Sequence, residues 1–296
     1  MENIRGSILM VLGMMGFALE DMFIKMMAGA LPVGQILMLL GLGGGLVFAA
    51  MSEMRGGRIW SSDFRHPAVM ARNIGEVVGT AGFITAVALS PLATASAILQ
   101  TNPLLVTLGA ALFFAEPVGW RRWTAICVGL SGVLLVIRPG AEGFTAMSLF
   151  AVVGAVGLAW RDLISRRVPR AISSLKLSAY AFLILVPVGY LMVLAAGDTL
   201  VWPSPLNALR LVAAIGVGVA GYWALTAATR MGEISVIAPY RYTRLVFALF
   251  VAYFAFGERP DMLTYLGAAI IVGSGIYTLL REARLRRASR RVTAAL

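Results

Sequence analysis

The sequence predicts an all-α integral membrane protein: ten transmembrane helices arranged as two inverted five-helix repeats. Three observations carry that prediction. The chain is 59% apolar and only 13% charged, with a mean hydropathy of +0.86, far from a soluble globular composition. A helix needs about 20 residues to cross the hydrocarbon core, and stretches of that order fall at 6–28, 32–52, 68–89, 92–115, 120–138, 145–165, 174–196, 206–229, 234–256 and 261–281. The second half also echoes the first. Gly13, Gly16, Ala18 and Asp21 recur as Gly154, Gly157, Ala159 and Asp162, each 141 positions on, with Lys25 opposite Arg166. Further along, Gly75 matches Gly216, Thr101 matches Thr243, Glu116 matches Glu258, and Ser131-Gly132 matches Ser274-Gly275. A repeat with an odd number of spans leaves the membrane on the side opposite its entry, so two such repeats lie inverted.

Taken in order, the first span follows Met1–Arg5 directly. It is too long for a signal-peptide core and lacks a small-x-small cleavage site, so it is expected to stay on the chain. The second span holds the run Gly41–Gly45, and the third holds Gly75, Gly79 and Gly82. Such small residues let helices approach closely in lipid. The fourth places Gln100, Thr101 and Asn102 near mid-depth, with Pro103 next. The fifth and tenth carry Gly129/Gly132 and Gly273/Gly275, expected to pack within their own half or at a dimer contact. The sixth repeats the glycine pattern of the first. The seventh contains Pro187, and the eighth Gly216, Gly218 and Gly221. The ninth has Pro239 just ahead of Arg241 and Arg244. A proline inside a helix removes a hydrogen bond and frees a carbonyl, which is tolerated in a membrane where protein or water satisfies it. Pro103 and Pro239 are therefore expected to shape a cavity. The repeats divide as 1–140 and 141–281, leaving 282–296 as a basic tail.

The net charge of +11 is distributed by side. With the N-terminus inside, one face holds Arg5, Arg55, Arg58, Arg65, Arg72, Arg121, Arg122, Arg166, Arg167, Arg170, Lys176, Arg230 and the tail arginines. The other holds Arg138 and Arg259, with Lys25 and Arg210 near its span ends. The positive-inside rule then places both termini in the cytoplasm, and the tail reads as an anchor to anionic head groups. Nothing in it interleaves aromatics for base stacking, which argues against nucleic acid as a partner. Cys127 stands alone, so neither an intramolecular disulfide nor a cysteine metal site is expected. His66, the one histidine, lies in a loop and cannot anchor a metal site or a triad by itself. No Walker A sequence is present, and no cofactor or enzymatic activity is expected.

At the fourth-to-fifth connection, Phe114-Ala115-Glu116-Pro117 is repeated as Phe256-Gly257-Glu258-Arg259-Pro260. Gly129-Leu130-Ser131-Gly132-Val133 has its counterpart in Gly273-Ser274-Gly275-Ile276. With the two five-span halves and the closes of the first span (Phe23-Ile24-Lys25) and the sixth (Ile164-Ser165-Arg166-Arg167), the whole chain resembles the drug/metabolite transporter superfamily in its ten-span EamA-type branch. It departs from that pattern at Phe17-Ala18, where relatives carry Trp-Gly, and at Glu20-Asp21, where they are uncharged. The resemblance implies a secondary transporter of the bacterial-type inner membrane. Among relatives, exporters of aromatic amino acids come first.

Ionisable groups at membrane depth each cost about 2.5–3.5 kcal/mol on the insertion scale. Here the acids Glu20, Asp21, Glu76 and Asp162 balance the bases Lys25, Arg161, Arg241 and Arg244. Two readings stand. In one, a midplane cavity takes a zwitterion: Glu76 holds its ammonium and Arg244 or Arg241 its carboxylate in bidentate geometry. Gln100 and Asn102 then supply polar contacts, and Trp160, Tyr180, Trp223, Tyr240 and Tyr242 the walls. Glu20, Asp21 or Glu76 would carry a coupling proton, since burial disfavours the charged form of a carboxylate; facilitated exchange without a coupled proton is the equal alternative. In the other, the charges only tie helices together. Trp60, Trp120, Trp123 and Trp202 at span ends are interface anchors. The expected function is export of small metabolites, foremost amino acids, by alternating access, from a monomer or weak homodimer. Export of cationic drugs or other metabolites is the alternative, and a lipid scramblase or non-transporting membrane protein a more distant one.

Overall fold

The computed structural model describes residues 2–114, 119–138, 146–169, 171–230 and 234–294. Glu116, Pro117 and Arg170 lie outside the described residues, as do the side chains of Arg122, Arg230 and the tail arginines beyond Arg284. The helices are α1 (Glu2–Met27), α2 (Val33–Glu53), α3 (Pro67–Leu89), α4 (Leu92–Leu99), α5 (Asn102–Phe114), α6 (Trp120–Ile137), α7 (Leu149–Ser165), α8 (Ser174–Ala195), α9 (Pro205–Arg230), α10 (Ile234–Ile237), α11 (Thr243–Phe256) and α12 (Met262–Ala294). Among the described residues there is no β-strand beyond a single bridge between Ala28 and Leu31. Helices are what a chain this apolar must form, because lipid offers no partner for an open backbone amide. The protein is an all-helical, multi-pass membrane protein.

Among the described residues, seven stretches are long and apolar enough to cross a membrane: Ile4–Met27, Val33–Glu53, Leu92–Phe114, Ala146–Ser165, Ser174–Ala195, Pro205–Ala228 and Met262–Arg281. Trp123–Ile137 forms a shorter apolar helix. Two expected spans depart from that standard for visible reasons. Arg72, Asn73 and Glu76 dilute α3, and the ninth stretch is broken. The last helix runs unbroken to Ala294, so the basic tail continues it helically.

The breaks are the main difference from ten plain helices. The fourth stretch is α4 and α5, interrupted at Gln100–Thr101. The ninth is the single turn α10, a 3₁₀ segment Ala238–Tyr242 and then α11. A proline lacks an amide hydrogen and collides with the carbonyl four residues back. Pro103 therefore cannot continue α4. Its ring instead sits in the first turn of α5, where the missing donor costs nothing. Pro239 stands likewise inside the 3₁₀ segment. Pro187 behaves otherwise: α8 runs through it from Ser174 to Ala195.

The helices pair across the halves: α1 with α9, α3 with α7, α2 with α8 and α6 with α12. Exchanging the halves turns the first pair into the second and each of the others into itself. Glycine stands at every crossing. A Cβ on Gly13 would lie 3.0 Å from the Gly221 carbonyl oxygen, and one on Gly82 would lie 2.9 Å from the Gly154 nitrogen. A Cβ on Gly34 would meet the Gly189 carbonyl at 2.5 Å, and one on Gly132 the Gly267 carbonyl at 2.8 Å. Backbone meets backbone at these points, and no side chain can be added without parting the helices. Gly132 thus packs against α12 of the opposite half, whereas Gly129 meets both Leu104 of its own half and Ser274 of α12. Gly216 and Gly273 face open space, so neither serves a helix crossing.

Candidate functional site

Two polar centres lie inside the bundle. The first joins α3, α7 and the start of α5. Glu76, 8% exposed, receives Arg161 Nη1 at 3.2 Å, Arg72 Nη2 at 3.4 Å one turn back on its own helix, and the Thr80 hydroxyl at 2.9 Å. Arg161 also grips its neighbour Asp162, with Nη2 at 2.8 Å and Nε at 2.9 Å from Oδ1. Asn102 Nδ2 donates to the other Asp162 oxygen at 3.1 Å. Arg72 continues to the Ser165 hydroxyl at 3.2 Å. The chain Arg72–Glu76–Arg161–Asp162–Asn102 therefore alternates charge and ends at the first break.

The second centre joins α1 and α11. Arg244 meets Asp21 through Nη2 at 2.9 and 2.8 Å and Nε at 3.3 Å. The guanidinium also lies 5.2 Å from the Phe17 ring centre and 5.0 Å from that of Phe83, within the range where a ring quadrupole attracts a cation. Asp21 is 2% exposed. Beside it, Glu20 occupies the space that a side chain at Gly218 would fill: a Cβ there would stand 2.6 Å from Glu20 Oε1. Among the described residues, the Glu20 carboxylate makes no ion pair or hydrogen bond.

The two breaks meet. Gln100 Nε2 donates to the Tyr242 carbonyl at 3.3 Å, so the irregular turn of one half is bonded to that of the other. Around this point several polar groups lack partners: the buried Tyr242 hydroxyl and Asn102 Oδ1 make no hydrogen bond. Arg241, half-buried, sits within electrostatic range of Asp162 and has no ion pair among the described residues.

Several sequence expectations need correction. Glu76 and Arg244 are not a facing clamp: each is engaged with its own counter-ion, on different helices. Trp160 donates its Nε1 to the Ala71 carbonyl at 2.9 Å and packs edge-on against Phe113, tying α7 to α3. Tyr180 is buried and donates to the Ile59 carbonyl at 2.7 Å, with its ring edge-on to Phe64, so it fastens the loop before α3. Trp223 is 52% exposed and shares a stripe of α9 with Leu206, Leu209 and Val212, all exposed. That outward face, not a cavity, holds it. Lys25 is ion-paired to Glu258 at 3.1 Å.

Sequence reasoning missed Glu258 as an end-cap. Its two oxygens accept from the Leu92 and Ala93 amides at 2.9 and 3.2 Å, the open N-terminus of α4, where Pro91 offers no capping side chain. A carboxylate there satisfies orphan donors and the helix dipole. It also missed Gln35, whose amide both donates to and accepts from the Val201 backbone, at 2.6 and 2.9 Å.

A helical bundle crossed at glycines, with broken spans meeting at a polar core, defines a membrane carrier of small molecules rather than an enzyme. The comparisons with known proteins agree. A model of the EamA-like transporter family matches residues 4–138 and again 145–280. The chain belongs to that family, within the drug/metabolite transporter superfamily. It is 28% identical over 204 residues to an S-adenosylmethionine uptake transporter of Rickettsia bellii, covering 69% of each chain. It is 27% identical over 218 residues to a riboflavin transporter of Rhizobium johnstonii, covering 74% of this chain and 72% of the relative. To the pseudopaline exporter CntI of Pseudomonas aeruginosa it is 26% identical over 275 residues, covering 90% and 93%. A crystal structure at 23% identity shares the fold with a TM-score of 0.58, covering 93% of this chain and 98% of that one.

Proposed function

We propose that this transporter moves amino-acid-like zwitterions out across a bacterial inner membrane by alternating access between two inverted repeats, 1–140 and 141–281. One observation carries the reading. Both broken spans converge at the Gln100–Tyr242 bond, and discontinuous helices at mid-depth are where secondary carriers bind their substrates. The groups left unpaired there divide by charge. Arg241 suits a carboxylate, with the Tyr242 hydroxyl as a further donor, whereas Asn102 Oδ1, an acceptor, suits an ammonium; Tyr240 stands half-exposed on the same turn as Arg241. Glu20, with Gly218 leaving it room, suits an ammonium or a coupling proton. Glu76, Asp162 and Arg161 then hold the frame, and Asp21–Arg244 fastens α1 to α11. S-Adenosylmethionine, the substrate named for one relative, itself carries an α-ammonium and an α-carboxylate. In this arrangement all ten stretches cross the membrane and both termini are cytoplasmic. The tail helix rests its arginines on anionic head groups, and the unit is a monomer or weak dimer.

The test is uptake of a labelled amino-acid panel by proteoliposomes, with empty liposomes as control. Saturable uptake that Arg241→Gln abolishes supports the reading; no uptake of any member by folded protein overturns it. A second reading, a cationic substrate, is favoured by Glu20 alone: with Arg244 neutralised by Asp21, a lone carboxylate faces the α1–α9 seam. Uptake of organic cations that survives Arg241→Gln but not Glu20→Gln would establish it.

A further inference from the structure

Lys25 and Arg167 each hold an aromatic ring at the end of a broken span. Lys25 Nζ lies 5.5 Å from the centre of Phe256, the last residue of α11. The Arg167 guanidinium carbon lies 3.9 Å from the centre of Phe114, the last residue of α5. The two contacts are related by the repeat: Lys25 to Arg167 and Phe114 to Phe256 are both steps of 142 residues. The correspondence seen in sequence set Lys25 against Arg166; the geometry sets it against Arg167.

We infer that these two cation–ring contacts are the opposite gates of the carrier, both closed in this structure. The inference rests on the alternating-access reading above. Lys25 ends the first span and Arg167 follows the sixth, five crossings later, so the contacts lie at opposite ends of the bundle. Each joins a helix of one half to the broken span of the other. The Lys25 end is latched further: Nζ donates to the Ser90 carbonyl at 2.6 Å and pairs with Glu258, which in turn caps α4. One lysine thus draws together the end of α1, the start of α4 and the end of α11, closing the bundle above the Gln100–Tyr242 bond. On that side lies a cavity of about 390 Å³, with Glu258, Arg138 and Asp261 in its wall. The Lys25 and Glu258 side chains are 17% and 16% exposed, so the latch is partly reached by water, which can take over its polar contacts when the gate opens.

The test reads accessibility and needs no substrate. In a Cys127→Ser background, Asn102→Cys places a thiol at the break. A membrane-impermeant maleimide is then applied to intact cells and to inverted vesicles. Lys25→Ala is expected to raise the labelling rate several-fold from one side only, and Arg167→Ala from the other side only. Lys25→Arg, which keeps the charge, restores protection. Phe256→Leu, which keeps apolar volume and removes the ring, gives part of the Lys25→Ala effect. Unchanged rates from both sides, or both variants opening the same side, overturn the gates. A carrier that transports none of the tested solutes but shows the two-sided pattern would contradict the substrate reading and leave the gates standing.

Discussion

Arg244 and Asp21 lie 223 positions apart in sequence and meet through three contacts of 2.8 to 3.3 Å. Their side chains are 17% and 3% exposed, so the pair is largely removed from solvent. Removing one partner of a buried pair leaves an uncompensated charge and costs about 3–5 kcal/mol. Asp21→Asn is therefore expected to lower the melting temperature in detergent markedly. The double variant Asp21→Leu/Arg244→Met, which removes both charges, should recover most of the loss. A double variant no more stable than Asp21→Asn would show that the pair is not the source.

Glu76 lies between Arg161 and Arg72, with Thr80 donating to it. Neutralising it leaves two guanidiniums without their shared anion. Glu76→Gln is expected to destabilise the protein by about 3 kcal/mol or more, whereas Thr80→Val, which removes one hydrogen bond to a charged acceptor, should cost about 1.5–3 kcal/mol. In the zwitterion reading Glu76 is instead a substrate contact, and its neutralisation would cost transport rather than stability. Near-normal thermal stability for Glu76→Gln would return it to that role.

The helix crossings separate two glycines that both lie in stretches of small and apolar residues. A Cβ on Gly157 would run into the backbone of Gly79, while one on Gly216 meets nothing within 4 Å. Backbone cannot rotate aside as a side chain can. Gly157→Ala should cost at least the ~1–3 kcal/mol typical of overpacking and reduce the folded fraction on size exclusion. Gly216→Ala should match the parent.

The spans, the repeat and the mid-depth charges were legible because each has a one-dimensional signature: apolar length, a fixed offset, or an ionisable residue where lipid is expected. Partner choice was not. Asp21 and Arg244 find each other across two helices only once α1 and α11 pack, and nothing local to either residue names the other. The aromatics failed for a related reason. In sequence Trp160, Tyr180 and Trp223 read as cavity walls, but helix azimuth decides their roles: toward α3, toward the 59–64 loop, and outward along the Leu209–Val212 stripe. Pro103 and Pro239 did announce a disturbance, though as kinks within helices. That they start new segments follows from their place beside Gln100–Thr101 and Tyr240–Tyr242.

Asp63, in the loop before α3 and outside the membrane spans, and Lys176, in the first turn of α8, make a pH-sensitive tie. Lys176 Nζ donates to Asp63 Oδ2 at 2.7 Å and to the Ser61 hydroxyl at 3.2 Å, and Ser61 Oγ also donates to Asp63 at 3.0 Å. The Lys176 hydrogen bond, followed by that from Ser61, holds the Asp63 carboxyl below its ordinary value. A carboxyl whose folded pKa is depressed contributes stability that is complete above the unfolded pKa, about 3.9. That contribution is lost as pH falls below it, through the folded value. The parent and Asp63→Asn should therefore differ in melting temperature by a small, constant amount from pH 7 down to about 5. The difference should shrink as the carboxyl protonates below about pH 4. Because the Asp63 side chain is 36% exposed, the difference should also narrow with salt between 0.05 and 0.5 M, roughly as the Debye length shortens. A difference that persists undiminished at pH 3 would assign the tie to the Ser61 and Tyr180 hydroxyls, which meet at 3.2 Å, rather than to the ion pair.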